Sequence, residues 1–161
     1  MPRVFSIRPT LQMKGRKFKG LRGWAGKPFH PPLTDVPVTC YLLVGVFDVI
    51  SFFYRDSQAS IAREFFVSGT HILIAGAIVS VLTALTGFWD WLKSTAKGTQ
   101  ARRTANFHMA VMLFVTALVI VDIVMRLSNW TDLHVTGPIM LLSVAIAGLV
   151  TFGSMYGGAL V

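Results

Sequence analysis

From Val36 onward the chain is a succession of four long apolar stretches joined by short polar connections. The stretches run Val36–Tyr54, Phe65–Leu92, Ala105–Met125 and Leu133–Tyr156. A bilayer core of roughly 30 Å is crossed by about 20 apolar residues in a helix. Only helices and closed barrels satisfy their backbone polar groups in that medium. None of the stretches alternates apolar and polar residues with the period of a strand, so all four read as helices. The connections Arg55–Glu64, Lys93–Thr104 and Leu127–Asp132 are short, which makes consecutive helices antiparallel. The pattern predicts an all-α membrane protein: an up-down-up-down four-transmembrane-helix bundle over 30–161, preceded by a basic arm over 1–29.

Small residues mark where the helices approach one another. Gly76, Ser80 and Ala84 recur every fourth residue in the second span, as do Ser143 and Ala147, then Gly153 and Gly157, in the fourth. In lipid such spacing lets helix backbones pack closely. Gly137-Pro138 is expected to bend the first turns of the fourth span.

Charge sets an orientation. The net charge is +8 on a chain that is 53% hydrophobic. Arg3, Arg8, Lys14, Arg16, Lys17, Lys19, Arg22 and Lys27 precede the first span, and Lys93, Lys97, Arg102 and Arg103 lie between the second and third. Positive charge collects on the cytoplasmic side, so both termini and the middle connection are expected there. The arm has no apolar core or cleavage site of a signal peptide, and its glycines oppose a stable helix. Lys14, Arg16, Lys17, Lys19 and Arg22, interleaved with Phe18, Leu21 and Trp24, suit an anionic leaflet or a neighbouring subunit. Nucleic acid is the weakest reading of that basicity.

Hydrolytic chemistry has no motif here: there is no phosphate-binding loop, nucleophile elbow or His-Glu-x-x-His. Cys40, the single cysteine, excludes an internal disulfide and covalent haem attachment and reads as a packing residue. The polar residues inside the spans are few. Asp122 and Arg126 stand at i, i+4 in the order that favours a helical ion pair. Asp48 has no such partner in its own span and is expected to face the bundle interior, since intramembrane carboxylates do so. Asp90, near the end of the second span, is read as a buried polar residue with them.

Four histidines complete the inventory. His30 and His108 fall near the cytoplasmic face, while His71 and His134 open the two returning helices near the outer face. Each half thus shows an inner His, an outward Asp and a His on the return, which suggests a parallel internal repeat pairing Asp48 with Asp122 and His71 with His134. Two histidines at each face is an arrangement that a b-type haem protein uses, imidazole being a good iron ligand. Histidines at span ends also serve simply as interfacial residues. His71 and His134 are the better ligand pair, expected to approach one another, because His30 stands before Pro31-Pro32.

His30-Pro31 with Asp35-Val36-Pro37, then Thr86-Gly87-Phe88-Trp89-Asp90-Trp91, His108 and the terminal Tyr156–Val161, resembles a bacterial membrane family known as domain of unknown function 2231. The resemblance covers about Phe29 to Val161. It implies a small four-helix protein of the bacterial inner membrane. Relatives occur fused to Rieske or cytochrome c domains, which implies proximity to electron transfer. Asp35 stands where the family's opening motif has a second histidine, removing a possible ligand, and relatives commonly continue past the point where this chain stops.

Two readings compete. In the first, the chain is a non-catalytic accessory or assembly subunit, without a cofactor, of a larger respiratory membrane complex. It then needs only packing faces, the basic arm and the interfacial Trp24, Trp89, Trp91 and Trp130. In the second it binds haem b through paired histidines and exchanges electrons with quinone. A proton or ion conductor built on Asp48 is weaker, because one buried carboxylate makes no continuous path.

Overall fold

A computed structural model describes residues 19–21 and 28–160. Lys14, Arg16, Lys17, Arg22 and Trp24 of the arm lie outside the described residues. Four helices follow in chain order: α1 (His30–Tyr54), α2 (Ala59–Ser94), α3 (Gln100–Ser128) and α4 (Gly137–Gly158). All four are long and apolar enough to cross a membrane. α1 packs on α2 and α4, and α3 on α4, with a lighter contact between α2 and α3. The helices therefore form a ring in which α1 and α3 are diagonal. One end of the bundle carries the start of α1 and the end of α4. It also carries the 95–99 connection with Lys93, Lys97, Arg102 and Arg103, and is called the basic end below. The other end carries the 55–58 and 129–136 connections.

Each boundary has a local cause. α1 begins at His30, a turn and a half before the apolar stretch. Pro at its first turn lacks only an N–H that would have no helical partner. Thr99 starts α3 by accepting the backbone N–H of Arg102 at 3.2 Å. Gly98 precedes it at φ 79°, a conformation that glycine tolerates. Gly137-Pro138 corrects the expectation above: it does not bend α4 but starts it, Pro138 standing in the first turn. At 36 residues, α2 is about 54 Å long by its helical rise, well beyond the roughly 30 Å core, so it must emerge from the hydrocarbon.

Outward faces are apolar: Val46, Phe53, Ile78, Leu85, Leu113, Ile120, Val124 and Leu141 are all exposed, as lipid-facing positions should be. The main core joins Tyr41, Val44, Leu73, Val115, Val119, Ile146 and Val150 from all four helices. A smaller cluster of Phe66, Val135 and Ile139 closes the end away from the basic one. Close approach relies on small residues, as the spacing predicts. A Cβ on Gly76 would meet Cys40 Cβ at 2.7 Å, and one on Gly45 would meet Ala147 Cβ at 3.3 Å. Ala84, the last of its series, is exposed and faces no helix.

The two hairpins repeat, in a register that differs from the expected one. Buried Pro37, Tyr41, Val44 and Asp48 of α1 are matched, 78 residues on, by buried Val115, Val119, Asp122 and Arg126 of α3. Gly69, Leu73, Gly76 and Thr83 of α2 are matched, 70 residues on, by buried Ile139, Ser143, Ile146 and Gly153 of α4. The shorter offset in the return helices comes from shorter helix ends in the second half: α3 stops soon after Arg126 and α4 starts just before Ile139, whereas α1 runs on well past Asp48 and α2 starts well before Gly69. In this register Asp48 corresponds to Arg126, not to Asp122, and His71 corresponds to Leu141, not to His134. Like residue types misled the pairing; the burial pattern fixes it. Both halves begin at the same end, which makes this a parallel repeat.

Candidate functional site

The most polar place in the bundle is a three-residue charge cluster with no exposure to solvent. Asp48, Asp122 and Arg126 are each 0% exposed. Arg126 Nε donates to Asp122 Oδ1 at 2.8 Å, one helical turn back on α3. Its Nη2 forms an ion pair with Asp48 Oδ2 across the bundle on α1. Nη1 donates to the Thr70 hydroxyl on α2 at 3.4 Å. Thr70 itself donates to Phe66 O at 2.7 Å, leaving its oxygen free to accept. α4 adds Ser143, whose hydroxyl lies beside Asp48 but gives its proton to Met140 O at 2.9 Å. One guanidinium thus reaches in three directions, which its planar fork permits and an ammonium does not.

Room for the cluster comes from Gly69. A Cβ there would stand 3.3 Å from Asp48 Oδ1 and 3.6 Å from Arg126 Nη1. Two carboxylate oxygens, Asp48 Oδ1 and Asp122 Oδ2, are buried without a hydrogen-bond partner. Burying charge in lipid costs about 2.5–3.5 kcal/mol per side chain on insertion scales, so the pairing of Arg126 with both carboxylates is what makes the site tolerable. The periodicity of α3 displays the Asp122–Arg126 pair. What it cannot display is that the same guanidinium serves Asp48, because that contact spans 78 residues of sequence.

Next to the cluster, between α2 and α3 where packing is lightest, lies a cleft of about 360 Å³ lined by Thr70, His71, Ile74, Leu127 and Trp130. His71 is exposed at this cleft, with its ring 5.9 Å from that of Trp130. His134 corrects its expected place: it does not open α4 but precedes it in the 129–136 connection. Its Nδ1 lies 3.0 Å from Val135 O. Among the described residues no hydrogen bond or ring contact joins His71 to His134. Pro138 sets the helix start after His134, which takes this imidazole off the helix face on which the pairing was expected.

His30 and His108 form the second set, at the basic end. His30 Nδ1 lies 2.9 Å from Thr83 O and 3.3 Å from the Thr86 hydroxyl. His108 Nδ1 lies 2.8 Å from Gly153 O. A carbonyl only accepts, so each Nδ1 carries the proton and each neutral ring keeps its lone pair on Nε2. Each ring also rests on a glycine: a Cβ on Gly87 would be 2.6 Å from His30 Cε1, and one on Gly157 would be 2.9 Å from His108 Cε1. These are equivalent contacts in the two halves, each binding a helix to the one that returns beside it. The two imidazoles lie within electrostatic range of one another. The Nδ1 bonds are those of a typical histidine ligand, whose second nitrogen is held by a carbonyl. Two turns deeper, however, Pro37, Tyr41, Val115 and Val119 are buried in continuous packing. A planar cofactor between these rings would therefore have to sit at the end of the bundle, not within it.

Polar and aromatic contacts join the other described residues of the basic end. Asp90 is not buried, which corrects its reading above: it is half-exposed and accepts the Leu21 backbone N–H at 2.9 Å, tying the arm to α2. Arg102 stacks 3.5 Å over the Trp91 ring and donates to Trp91 O at 2.6 Å, and Trp91 Nε1 donates to Asn106 at 2.7 Å. Lys93 lies 5.2 Å over Trp89. Among the described residues, none of Lys93, Lys97, Arg102 and Arg103 has a carboxylate partner.

Sequence reasoning missed Ser51 entirely. It is buried in α1, donates to Ala62 O at 2.7 Å and accepts from Val135 N at 3.0 Å. One hydroxyl therefore links α1, the start of α2 and the segment leading into α4. Thr70 was also missed, and Ser143 was read only as a packing residue. Hydroxyls that return their proton to their own helix give no periodic signal.

Fold and site together define a small four-helix transmembrane protein whose interior is organised around a buried Asp–Arg–Asp cluster. Over residues 26–161 the chain matches the family model described as Predicted membrane protein (DUF2231), and it belongs to that family. No curated protein and no solved structure matches it.

Proposed function

We propose that this chain is a non-catalytic membrane subunit that docks through its basic end on a larger membrane complex of a bacterial electron-transfer chain. Both its termini lie on the cytoplasmic side in this reading. The observation that carries it is the unpaired positive charge of that end. Among the described residues Lys93, Lys97, Arg102 and Arg103 have no carboxylate partner, with Lys93 lying over Trp89 and Arg102 over Trp91, whose Nε1 donates to Asn106. Such a surface draws an acidic partner or an anionic leaflet to one face. The link to electron transfer rests on the company that relatives of this family keep.

Gentle solubilisation and native electrophoresis test the reading. The wild-type chain is expected in a high-mass band at its natural abundance. A Lys93→Gln/Lys97→Gln/Arg103→Gln variant is expected to leave that band at the same salt concentration. Free migration of the wild-type chain overturns the proposal.

The second reading, a haem b protein, is favoured by one observation: the Nδ1 bonds that leave Nε2 of both His30 and His108 free to bind a metal. This moves the expected ligands from His71 and His134 to His30 and His108. An absorption spectrum decides it. A Soret band lost in both His30→Ala and His108→Ala would establish it, and its absence in the protein purified from haem-replete cells would remove it.

A further inference from the structure

The charge cluster does not balance. Asp48 and Asp122 bring two negative charges and Arg126 brings one positive charge, and all three side chains are 0% exposed. Among the described residues no further ion pair reaches the cluster: Arg63 of α2, 5.3 Å from the Phe66 ring that Arg126 also approaches at 6.0 Å, donates instead to Trp130 O and Asp132 O. α1 contributes Asp48, and α3 contributes Asp122 and Arg126. α2 offers the Thr70 hydroxyl and the backbone of Gly69, and α4 the Ser143 hydroxyl. Those hydroxyls give their protons to Phe66 O and Met140 O. Asp122 Oδ2 is left as a buried acceptor with no donor, and Asp48 Oδ1 gains one only where the Ser143 hydroxyl turns to Asp48 from Met140 O. A buried acceptor without a donor is rare in native proteins, and an uncompensated charge in hydrocarbon is rarer still. A single proton neutralises the excess charge and removes one of the two orphan acceptors.

We propose that the Asp48–Arg126–Asp122 cluster binds one exchangeable proton, which it takes up through the cleft between α2 and α3. The step is a simple protonation: one carboxylate oxygen accepts H⁺ from water, and the cluster becomes neutral. Access is one-sided. Thr70 belongs both to the wall of the cleft and to the cluster through its bond from Arg126. His71, next in sequence, is exposed at the mouth. Toward the basic end the route is closed by Tyr41, Val44, Leu73, Val115 and Val119, which are buried and apolar in character along the bundle axis. A single proton site that opens to one side is a binding site and not a conductor.

Infrared spectroscopy of the full chain in lipid, with ¹³C-labelled aspartate, reads this directly. The wild type at neutral pH is expected to show one protonated-carboxyl C=O band that shifts with the label and in D₂O. Asp48→Asn and Asp122→Asn each leave one carboxylate for one guanidinium, so each is expected to lose the band. His71→Leu is expected to keep the band and slow its H/D exchange at least tenfold. No protonated-carboxyl band in the labelled wild type overturns the proposal, whatever the variants do. Retention of neutrality by a sodium ion would appear as that missing band together with sodium-dependent melting, and also overturns it. Exchange as fast in His71→Leu as in wild type overturns the cleft as the route.

Discussion

Asp48 and Arg126 occupy the same position in the two halves of the protein, and they are bonded to each other. Each stands eighteen residues after an equivalent histidine, His30 or His108, and each sits one turn beyond an equivalent buried position, Val44 or Asp122. The ion pair therefore lies where the two repeats meet across the bundle. α1 and α3 are diagonal, so this pair is a direct polar link between them. Divergence at one equivalent position, to an acid in one half and a base in the other, converts a two-fold repeat into an interlocked pair. Asp122, bonded to Nε one turn back on the same helix, helps to hold the Arg126 side chain that reaches across.

Removing the guanidinium should therefore be more damaging than removing the whole cluster. Arg126→Leu leaves two buried carboxylates facing one another, and breaking a buried pair costs about 3–5 kcal/mol. Arg126→Lys is expected to recover only part of this, since one ammonium cannot serve Asp122, Asp48 and Thr70 together. The triple change Asp48→Leu/Asp122→Leu/Arg126→Leu is expected to melt close to wild type, because apolar replacement of buried ion triads is often neutral or stabilising. Thermal unfolding in detergent measures all three. A triple variant no more stable than Arg126→Leu would show that the cluster's contribution is not electrostatic.

Ser51→Ala should be costly for so small a change. The hydroxyl it removes is the partner of both Ala62 O and Val135 N, and its own residue is buried. Leaving a buried group unsatisfied costs about 1–3 kcal/mol. The expected signature is faster hydrogen exchange at Val135 and at the start of α2, with α3 unchanged. Equal exchange in both proteins would mean that water replaces the hydroxyl.

The fold was legible in the sequence because lipid leaves little choice. A 28-residue stretch such as Phe65–Leu92 cannot be other than a helix in hydrocarbon, and the short connections then dictate the bundle. Helix ends were less visible: α1 reaches back to His30 and α2 forward to Ser94, through polar residues that carry no apolar period. The site was half legible. Asp122 and Arg126 are local neighbours, whereas Asp48, Thr70 and Ser143 join them only through packing. The repeat was detectable, yet its register was not. Matching like residue types set Asp48 against Asp122, while burial sets Asp48 against Arg126.

Orientation can be read by labelling. In a chain with Cys40 replaced by Ala, a cysteine at Ser57 lies in the connection away from the basic end, and one at Thr99 lies within the basic end. The positive-inside bias predicts Ser57 outside and Thr99 in the cytoplasm. An impermeant maleimide added to intact cells should reach Ser57→Cys and not Thr99→Cys. The reverse pattern would invert the protein.

Helix spacing makes Gly76 and Gly148 opposites. A methyl group on Gly76 would fall 2.7 Å from Cys40 Cβ and 3.1 Å from Tyr41 Cε1, so α1 and α2 must separate to admit it. Overpacking of this kind costs about 1–3 kcal/mol. Gly148 has nothing within 4 Å of its virtual Cβ, and alanine there gains the helix propensity that glycine lacks, about 0.5–1 kcal/mol. Gly76→Ala is expected to lower the melting temperature and Gly148→Ala to raise it slightly. Equal shifts would mean that propensity, and not the α1–α2 contact, decides at Gly76.

The histidine clasps give the strictest test of the repeat, because one design occurs twice. Alanine at Gly87 would place its methyl group 2.6 Å from His30 Cε1, and alanine at Gly157 would place one 2.9 Å from His108 Cε1. Neither ring can stay where it is, so the Nδ1 bond to Thr83 O or to Gly153 O should be lost. A hydrogen bond of this type contributes about 1 kcal/mol net. The two clasps bind different helix pairs, α1 to α2 and α3 to α4, so the losses should add in the Gly87→Ala/Gly157→Ala variant. Imidazole ¹⁵N chemical shifts offer a direct readout: in the wild type both rings should report the Nδ1–H tautomer, and each glycine variant should perturb only the ring in its own half. A change in both rings from either single substitution would show that the two histidines act as one unit across the basic end, and that the halves are not independent there.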